Sequence, residues 1–331
     1  MLSLSVAGTA VNPLYLFAGG ILVGILRQGF GQAANLFMVP LLNMLGIPLN
    51  YAAGAGITQN FSNSAFTCLS GNPKKHSLRR VGFVVGLMGL PGIIAGRMLY
   101  IFLAERGIAA PTVHSAYVLL TLFAAFGYMR HWRTYYRHGY FEDNPLPPFG
   151  LRWRYPLAAP GAVGLKHITV GRVTAVGLLL GFATGLLGLG GSFAAAPLFM
   201  YVLGLPAAMA AASSVLPILI IDSAGMVSFS LTGNLELLLV LVVVISVMLG
   251  DKIALFFPAE IRWSNSRLIF AIVLAVSAAA EILNISGSGM PAGKALLGAC
   301  TLLVAIISVN LLITSIKHSQ RTAQVEEKPV H

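Results

Sequence analysis

The sequence predicts an all-α, polytopic helical membrane protein. Hydrophobic residues make up 57% of the 331-residue chain and charged residues only 9%, whereas a soluble domain carries about 25% charged residues. The apolar runs are continuous, as in "LELLLVLVVVISVML" at 235–249, while a transmembrane β-barrel would alternate polar and apolar residues. Both observations indicate helices that cross a lipid bilayer.

We distinguish eleven apolar segments and expect about nine to eleven of them to enter the membrane, since some are shorter than the ~20 residues that a full crossing needs. The segments are 10–27, 33–46, 48–70, 81–104, 111–129, 171–187, 191–204, 206–231, 235–257, 267–286 and 293–316.

The net charge of +11 follows from membrane topology, and we expect no nucleic-acid partner. Most Lys and Arg residues lie in four regions, at 74–80, 130–172, 252–267 and 317–328. An even number of apolar segments separates successive regions, so all four fit on the cytoplasmic face of the cell membrane. The N-terminus is then outside and the C-terminus is cytoplasmic.

The region 131–170 is rich in proline, aromatic and basic residues and reads as a linker between two halves. The predicted organisation is an N-terminal membrane repeat at 1–130, a cytoplasmic linker at 131–170, a C-terminal membrane repeat at 171–316 and a cytoplasmic tail at 317–331. The oligomeric state is left open, with a homodimer as one option.

An internal repeat relates the two halves. The stretch "GILVGILRQGFGQAANLFMVPL" from Gly20 aligns without gaps on "GLLLGFATGLLGLGGSFAAAPL" from Gly177, with shared glycines and a shared proline. Five segments precede the linker, so the second copy enters the membrane from the opposite face. We therefore predict two bundles that form an inverted repeat, as in many secondary transporters, whose substrate site lies between the repeats near the middle of the membrane.

The first two segments of each copy are too short to span, so each pair is expected to consist of broken or re-entrant helices that meet at a glycine-rich break. Free N–H groups at such a break favour an anion. Around the first break, an arginine and three amide side chains are candidate ligands of a small anionic substrate: Arg27, Gln28, Gln32 and Asn35. Alternatively, Arg27 marks the cytoplasmic end of a span and extends to the membrane surface.

The second break offers bare backbone and one hydroxyl group, at Gly188, Gly190, Gly191 and Ser192. Further polar residues within the third and eighth segments are candidate substrate ligands or, alternatively, hydrogen-bonding groups between helices: Gln59, Asn60, Asn63, Ser213 and Ser214.

Three charged residues lie within apolar segments. Asp222 is the most isolated acid and is a candidate proton-coupling site, with a structural hydrogen-bonding role as the alternative. Arg97 and Asp251, near comparable ends of their segments, are assigned to the membrane interface.

At the second break the chain resembles the TauE/SafE family, the sulfite exporter or toluene-sulfonate uptake group. The resemblance rests on "GLLLGFATGLLGLGGSFAAAPL", on "LGLPAAMAAASS" after it and on "LTGN" further along. It implies transport of sulfite-like or sulfonate-like anions, possible coupling to protons included. In the first half, "RQGFGQAAN" replaces the family's glycine run, a departure that favours a specialised organosulfonate.

The alternatives to a secondary transporter are an anion channel and a permease for non-sulfur carboxylates. An enzyme is not expected, because no nucleophile–base pair is apparent within the spans, and no catalytic residue is assigned. Two cysteines and seven histidines show neither a CxxC motif nor zinc-site spacing. We therefore predict no metal site and no cofactor.

Overall fold

A computed structural model of the chain describes residues 2–4, 9–30, 34–69, 78–138, 169–188, 190–205 and 207–255, together with a few residues between 271 and 298. Most of the tenth and eleventh predicted segments, residues 139–168 of the predicted linker and the predicted tail lie outside these described residues. The all-α prediction is confirmed, and so is the prediction of a polytopic membrane protein.

Ten helices account for nearly all of the described residues. Their bounds are α1 Pro13–Phe30, α2 Asn35–Met44, α3 Leu49–Leu69, α4 Arg79–Glu105, α5 Ala109–His138, α6 Val170–Leu187, α7 Ser192–Tyr201, α8 Ala207–Ser213, α9 Val215–Leu231 and α10 Leu237–Ala254.

Two short strands precede the helices, and the sequence analysis did not predict them. Strand β1 (Leu2–Leu4) pairs antiparallel with β2 (Thr9–Val11), and Leu2 lies opposite Val11. Helix α5 also differs from its predicted segment, because it continues to His138 and so extends into the predicted linker.

Four helical stretches in the described part are long and apolar enough to cross a membrane: 79–105, 170–187, 209–231 and 237–254. The third of these comprises most of α8 and all of α9, which join at Ser214. Helix α3 is 21 residues long, but the polar run "TQNFSNS" lowers its hydropathy. A span of this kind is stable in a bilayer when its polar face contacts protein.

Helices α4 and α6 pack against each other in parallel, with glycines at the contact. A Cβ atom built on Gly92 would lie 2.5 Å from the carbonyl oxygen of Leu178, and one built on Gly177 would lie 2.5 Å from that of Val85. No side chain fits at this separation, so the two backbones are in direct contact. Small residues allow this close packing of membrane helices.

Helices α1 and α10 are in contact in the same way and are also parallel. A Cβ atom on Gly250 would collide with the carbonyl oxygen of Ile21, and one on Gly20 with the side chain of Ser246. Ile21 aligns with Leu178 in the internal repeat. The glycine–carbonyl contact between α4 and α6 therefore has an equivalent between α10 and α1.

Helix α3 runs antiparallel to α9 through the middle of the bundle. Gly54, near the start of α3, faces Phe229 near the end of α9, while Ile57 faces Gly225. Helix α4 runs alongside α9 in the same direction, since Gly82 faces Ser213 and Gly86 faces Ile220.

The short helix α2 is almost entirely buried. Its Phe37 and Leu36 side chains lie in the larger hydrophobic cluster, and the hydroxyl group of Tyr117 in α5 donates a hydrogen bond to the backbone oxygen of Leu36 at 3.0 Å. These contacts hold α2 within the protein, where a helix too short to span the bilayer is not exposed to lipid at its ends.

The α4–α6 contact predicts opposite effects for two identical substitutions. Gly92→Ala should lower the thermal unfolding temperature of the purified protein by several degrees, because the methyl group forces two backbones apart. Gly127→Ala in α5 is the matched control, since no atom lies within 4 Å of the added Cβ. It should be neutral or stabilising, because alanine is the better helix former by about 1 kcal/mol. Equal unfolding temperatures for the two variants would contradict the assigned contact.

Candidate functional site

The break between α6 and α7 requires glycine at two positions. Gly188 and Gly190 both have left-handed backbone conformations, with φ values of +68° and +69°. Glycine adopts this region without steric cost. A Cβ atom on Gly190 would also lie 2.6 Å from the amide nitrogen of Asn60 and 3.0 Å from both carboxyl oxygens of Asp222. The backbone of the break therefore lies directly against two polar side chains.

The break lies halfway along the neighbouring helices. Asn60 is near the middle of α3 and Asp222 is near the middle of α9. Both side chains are buried, with exposed fractions of 1% and 0%. Chain reversal at this depth brings non-helical backbone into the interior of the bundle, where protein groups replace lipid as its neighbours.

The N-termini of the two short helices meet at the same place. Asn35 is the first residue of α2 and Ser192 is the first residue of α7. The amide nitrogen of Asn35 donates a hydrogen bond of 3.1 Å to the hydroxyl oxygen of Ser192. The N-cap residues, Ala34 and Gly191, provide no side-chain hydrogen bond to the first turn of either helix. The first-turn N–H groups, which have no acceptor within their own helix, therefore point toward one region.

Several buried polar atoms around this region have no hydrogen-bond partner among the described residues. They include both amide atoms of Gln59, the amide oxygen of Asn35 and one carboxyl oxygen of Asp222. Gln59 is only 2% exposed. A buried polar atom that lacks a partner costs about 1–3 kcal/mol, and such atoms often mark a site that a ligand or water completes.

Asp222 is the acidic member of this group. One of its carboxyl oxygens accepts a hydrogen bond of 2.9 Å from the backbone N–H of Gly191. The carboxyl group thus occupies an N–H group next to the start of α7. We define the break cluster as Asn35, Gln59, Asn60, Gly188, Gly190, Gly191, Ser192 and Asp222, all of which the sequence analysis had proposed.

Other predicted site residues have backbone contacts elsewhere or lie partly outside the described structure. The hydroxyl oxygen of Ser213 accepts a hydrogen bond from the N–H of Leu78 at 2.9 Å, and Ser214 donates to the backbone oxygen of Ala211 at 3.0 Å. Asn63 is half-buried, one turn beyond Gln59 on α3. Gln28 belongs to α1, but its side chain is outside the described structure, and Gln32 is outside it altogether.

Arg27 has a structural partner that the sequence analysis did not foresee. Its Nε atom donates a hydrogen bond of 3.0 Å to a carboxyl oxygen of Asp251, and its Nη2 atom contacts the other oxygen. The pair joins the C-terminal ends of α1 and α10, and its side chains are 12% and 21% exposed. Asp251 neutralises the charge that the sequence analysis had assigned to the substrate, so the alternative of an isolated arginine at the membrane surface does not describe this geometry either.

Two residues near the break cluster were missed as site candidates. Thr184 is fully buried in the last turn of α6, and its hydroxyl group bonds the backbone oxygen of Leu180. Arg97 was assigned to the interface, but its side chain is 8% exposed. The spacing of polar residues along α4 gave no indication of this, because the partners of Arg97 come from other parts of the chain.

The two-point contact between Arg27 and Asp251 predicts non-additive effects on stability. Either Arg27→Gln or Asp251→Asn leaves one partly buried charge without its partner, and each should lower the unfolding temperature. The double variant removes both charges and should be more stable than the sum of the single effects implies. Thermal unfolding of the four proteins measures the coupling. Strictly additive effects would show that the ion pair does not contribute to stability.

Comparisons with known proteins agree with this architecture. The family model of the sulfite exporter TauE/SafE matches residues 16–281, a region that contains all of the described helices except the first residues of α1. Searches among curated proteins and among solved structures found no match. Because the family match covers most of the sequence, the chain belongs to the TauE/SafE sulfite exporter family and is a multi-pass membrane protein of a transporter family.

Proposed function

We propose that this chain is a secondary transporter that carries small sulfur-containing anions, of the sulfite or sulfonate type, by alternating access. The observation that carries the proposal is the hydrogen bond between Asn35 and Ser192, because it places the N-termini of two buried half-length helices beside each other. The substrate binds between these termini, within the break cluster.

Helix polarity explains the preference for an anion. The N-terminus of a helix carries a partial positive charge of roughly half an elementary charge, and its free N–H groups bind anions. Two such termini face the same region, and water is excluded from it by the buried side chains of α3 and α9. In this low-dielectric environment, fixed dipoles interact more strongly with a negative charge than they would in water.

Amide side chains complete the site. Gln59 presents a donor and an acceptor that have no partner among the described residues, and its donor is suited to a sulfonate or sulfite oxygen. The side chain of Asn60 lies against Gly190 and orients the backbone of the break. Neutral donors bind an oxyanion without holding it so strongly that release is prevented, which a transporter requires.

Helix directions support the inverted repeat on which alternating access depends. Helices α1, α3 and α10 run in one direction, while α4, α6 and α9 run in the other, as the residue pairs in contact require. The repeat aligns α1 with α6 and α4 with α10, so aligned helices are antiparallel. The equivalent glycine contacts of α4 with α6 and of α10 with α1 are those expected of two bundles that can exchange conformations.

The distribution of positive charge supports the proposed orientation. The basic regions at 74–80, 130–172 and 252–267 are cytoplasmic, so the N-terminus is outside and the C-terminus is inside. The membrane repeats at 1–130 and 171–316 then enter the membrane from opposite sides. The region 131–170 is the cytoplasmic linker between them, and residues 317–331 form a cytoplasmic tail.

Asp222 is proposed to couple transport to a proton. Its carboxyl group and the substrate are both acceptors for N–H groups at the start of α7, so they compete while the carboxyl group is charged. A proton on the second carboxyl oxygen removes this repulsion and accompanies the anion across the membrane. Burial of the group in the middle of α9 ensures that it reaches water only when the bundle opens.

The substrate class is tested by equilibrium binding to the purified protein. Sulfite, sulfate, thiosulfate, taurine, sulfoacetate and acetate should be compared, and at least one sulfur-containing anion should bind more tightly than acetate. Tighter binding of acetate would favour a carboxylate permease. In proteoliposomes the flux should saturate with substrate concentration, whereas non-saturating, electrogenic flux would indicate a channel.

Gln59→Leu separates binding from stability. The substitution removes a buried amide that lacks partners, so the unfolding temperature without ligand should be unchanged or higher. The dissociation constant of the preferred anion should rise by about tenfold or more, since a hydrogen bond to a charged group is lost. Ser62→Ala is the matched control on α3, because the Ser62 hydroxyl group bonds the backbone oxygen of its own helix. Unchanged affinity in Gln59→Leu would remove Gln59 from the site.

Asp222→Asn tests the coupling. The amide retains the shape of the side chain but cannot take up and release a proton. Uptake driven by a pH gradient in proteoliposomes should be lost, while exchange of labelled for unlabelled substrate should continue. Glu105→Gln, at the exposed end of α4, serves as the control and should transport normally. Proton-driven uptake that persists in Asp222→Asn would exclude this residue from coupling.

A further inference from the structure

Arg97 is held in an unusual environment for a buried cation. Its guanidinium carbon lies 4.9 Å from the ring centre of Tyr100 and 4.7 Å from that of Phe229. Its Nη2 atom donates a hydrogen bond of 2.6 Å to the hydroxyl oxygen of Thr232. The hydroxyl group of Tyr100 is itself fixed by Asn50, at 2.6 Å. Two aromatic rings and one hydroxyl group therefore orient the side chain.

No carboxylate in the described part of the chain forms an ion pair with Arg97. Its Nε atom is buried and has no hydrogen-bond partner among the same residues. Arg27 differs in this respect, since Asp251 binds it at two points. Cation–π contacts stabilise a guanidinium by about 0.5–2 kcal/mol each, but they leave its positive charge available to an anion.

The aromatic ring of Phe229 connects Arg97 to the break cluster. A Cβ atom built on Gly188 would lie 3.0 Å from the Cζ atom of this ring, and the guanidinium lies over the ring as well. The backbone N–H of Arg97 faces Gly185, one turn before the break. Arg97 thus lies next to the break, toward the end of the bundle where α9 ends and α3 begins.

We propose that Arg97 is a substrate-binding residue and supplies the positive charge that receives the anion when this end of the bundle opens. The inference rests on the transport function proposed above and assigns to Arg97 the role that the sequence suggested for Arg27. The Nε atom and the second hydrogen of Nη2 form one edge of the guanidinium. This edge matches two oxygens of a sulfonate or sulfite group.

The rings beside the guanidinium also determine which anions fit. Tyr100 and Phe229 provide apolar surface next to the charge, and little water reaches them. A strongly hydrated dianion such as sulfate would lose more hydration on entering than a monovalent anion with a small apolar group. Arg97 should therefore favour an alkanesulfonate over sulfate.

Isothermal titration of the purified full-length protein with ethanesulfonate and with sulfate tests this role. The wild type should bind ethanesulfonate more tightly than sulfate. Arg97→Gln should raise the dissociation constant for ethanesulfonate by about tenfold or more. Arg106→Gln is the matched control, because Arg106 is on the same side of α4, over the ring of Phe102, but is exposed. Its dissociation constant should stay within about twofold of the wild-type value.

Arg97→Lys keeps the test decisive if Arg97→Gln does not fold. Lysine retains the charge but loses the two-point edge, so binding should be weaker than in the wild type and tighter than in a folded glutamine variant. Wild-type affinity in both Arg97 variants, or in the lysine variant alone when the glutamine variant is unfolded, would overturn the role of Arg97. Tighter binding of sulfate than of ethanesulfonate would overturn the proposed selectivity. Failure of the wild type to bind any sulfur-containing anion would instead refute the transport function itself.

Discussion

Satisfying backbone polar groups within the membrane is the constraint on which the rest of this structure depends. Lipid offers no hydrogen bonds, so a helix that ends halfway across is stable only inside protein. Helices α2 and α7 end there, and α3 and α9 enclose the ends. The break between α6 and α7 depends on Gly188 and Gly190 because left-handed turns and close contact with Asn60 and Asp222 exclude any side chain. The same unpaired N–H groups that make the break costly make it a binding site for a negative charge.

Much of the fold could be predicted because its signals are local in sequence. Continuous apolar runs identify helices, and their length and glycines identify the breaks. The hairpin at 2–11 and the extension of α5 to His138 were missed. The hairpin has short strands of mixed residues, while the extended part of α5 has the basic and aromatic composition that also suits an interfacial loop. Helix propensity decides such a case only weakly.

The site was predictable in part. Polar residues in spans face protein, so Asn60, Asp222 and the residues of the second break were found from the sequence alone. The partner of Arg27 was not, because Asp251 lies 224 positions away along the chain, and only the packing of α1 against α10 brings the two together. Arg97 was missed for the same reason. One arginine is neutralised by a distant acid and the other is flanked by rings, which reverses the order of importance that their sequence positions suggested.

The contact between Asn35 and Ser192 has a geometric consequence. The two residues are 157 positions apart, which is also the offset between Gly20 and Gly177 in the internal repeat. A residue can touch its own counterpart only where the symmetry axis between the halves passes. When the halves interchange their shapes, points on that axis keep their distances, so this hydrogen bond can act as a fulcrum that persists while both ends of the bundle move.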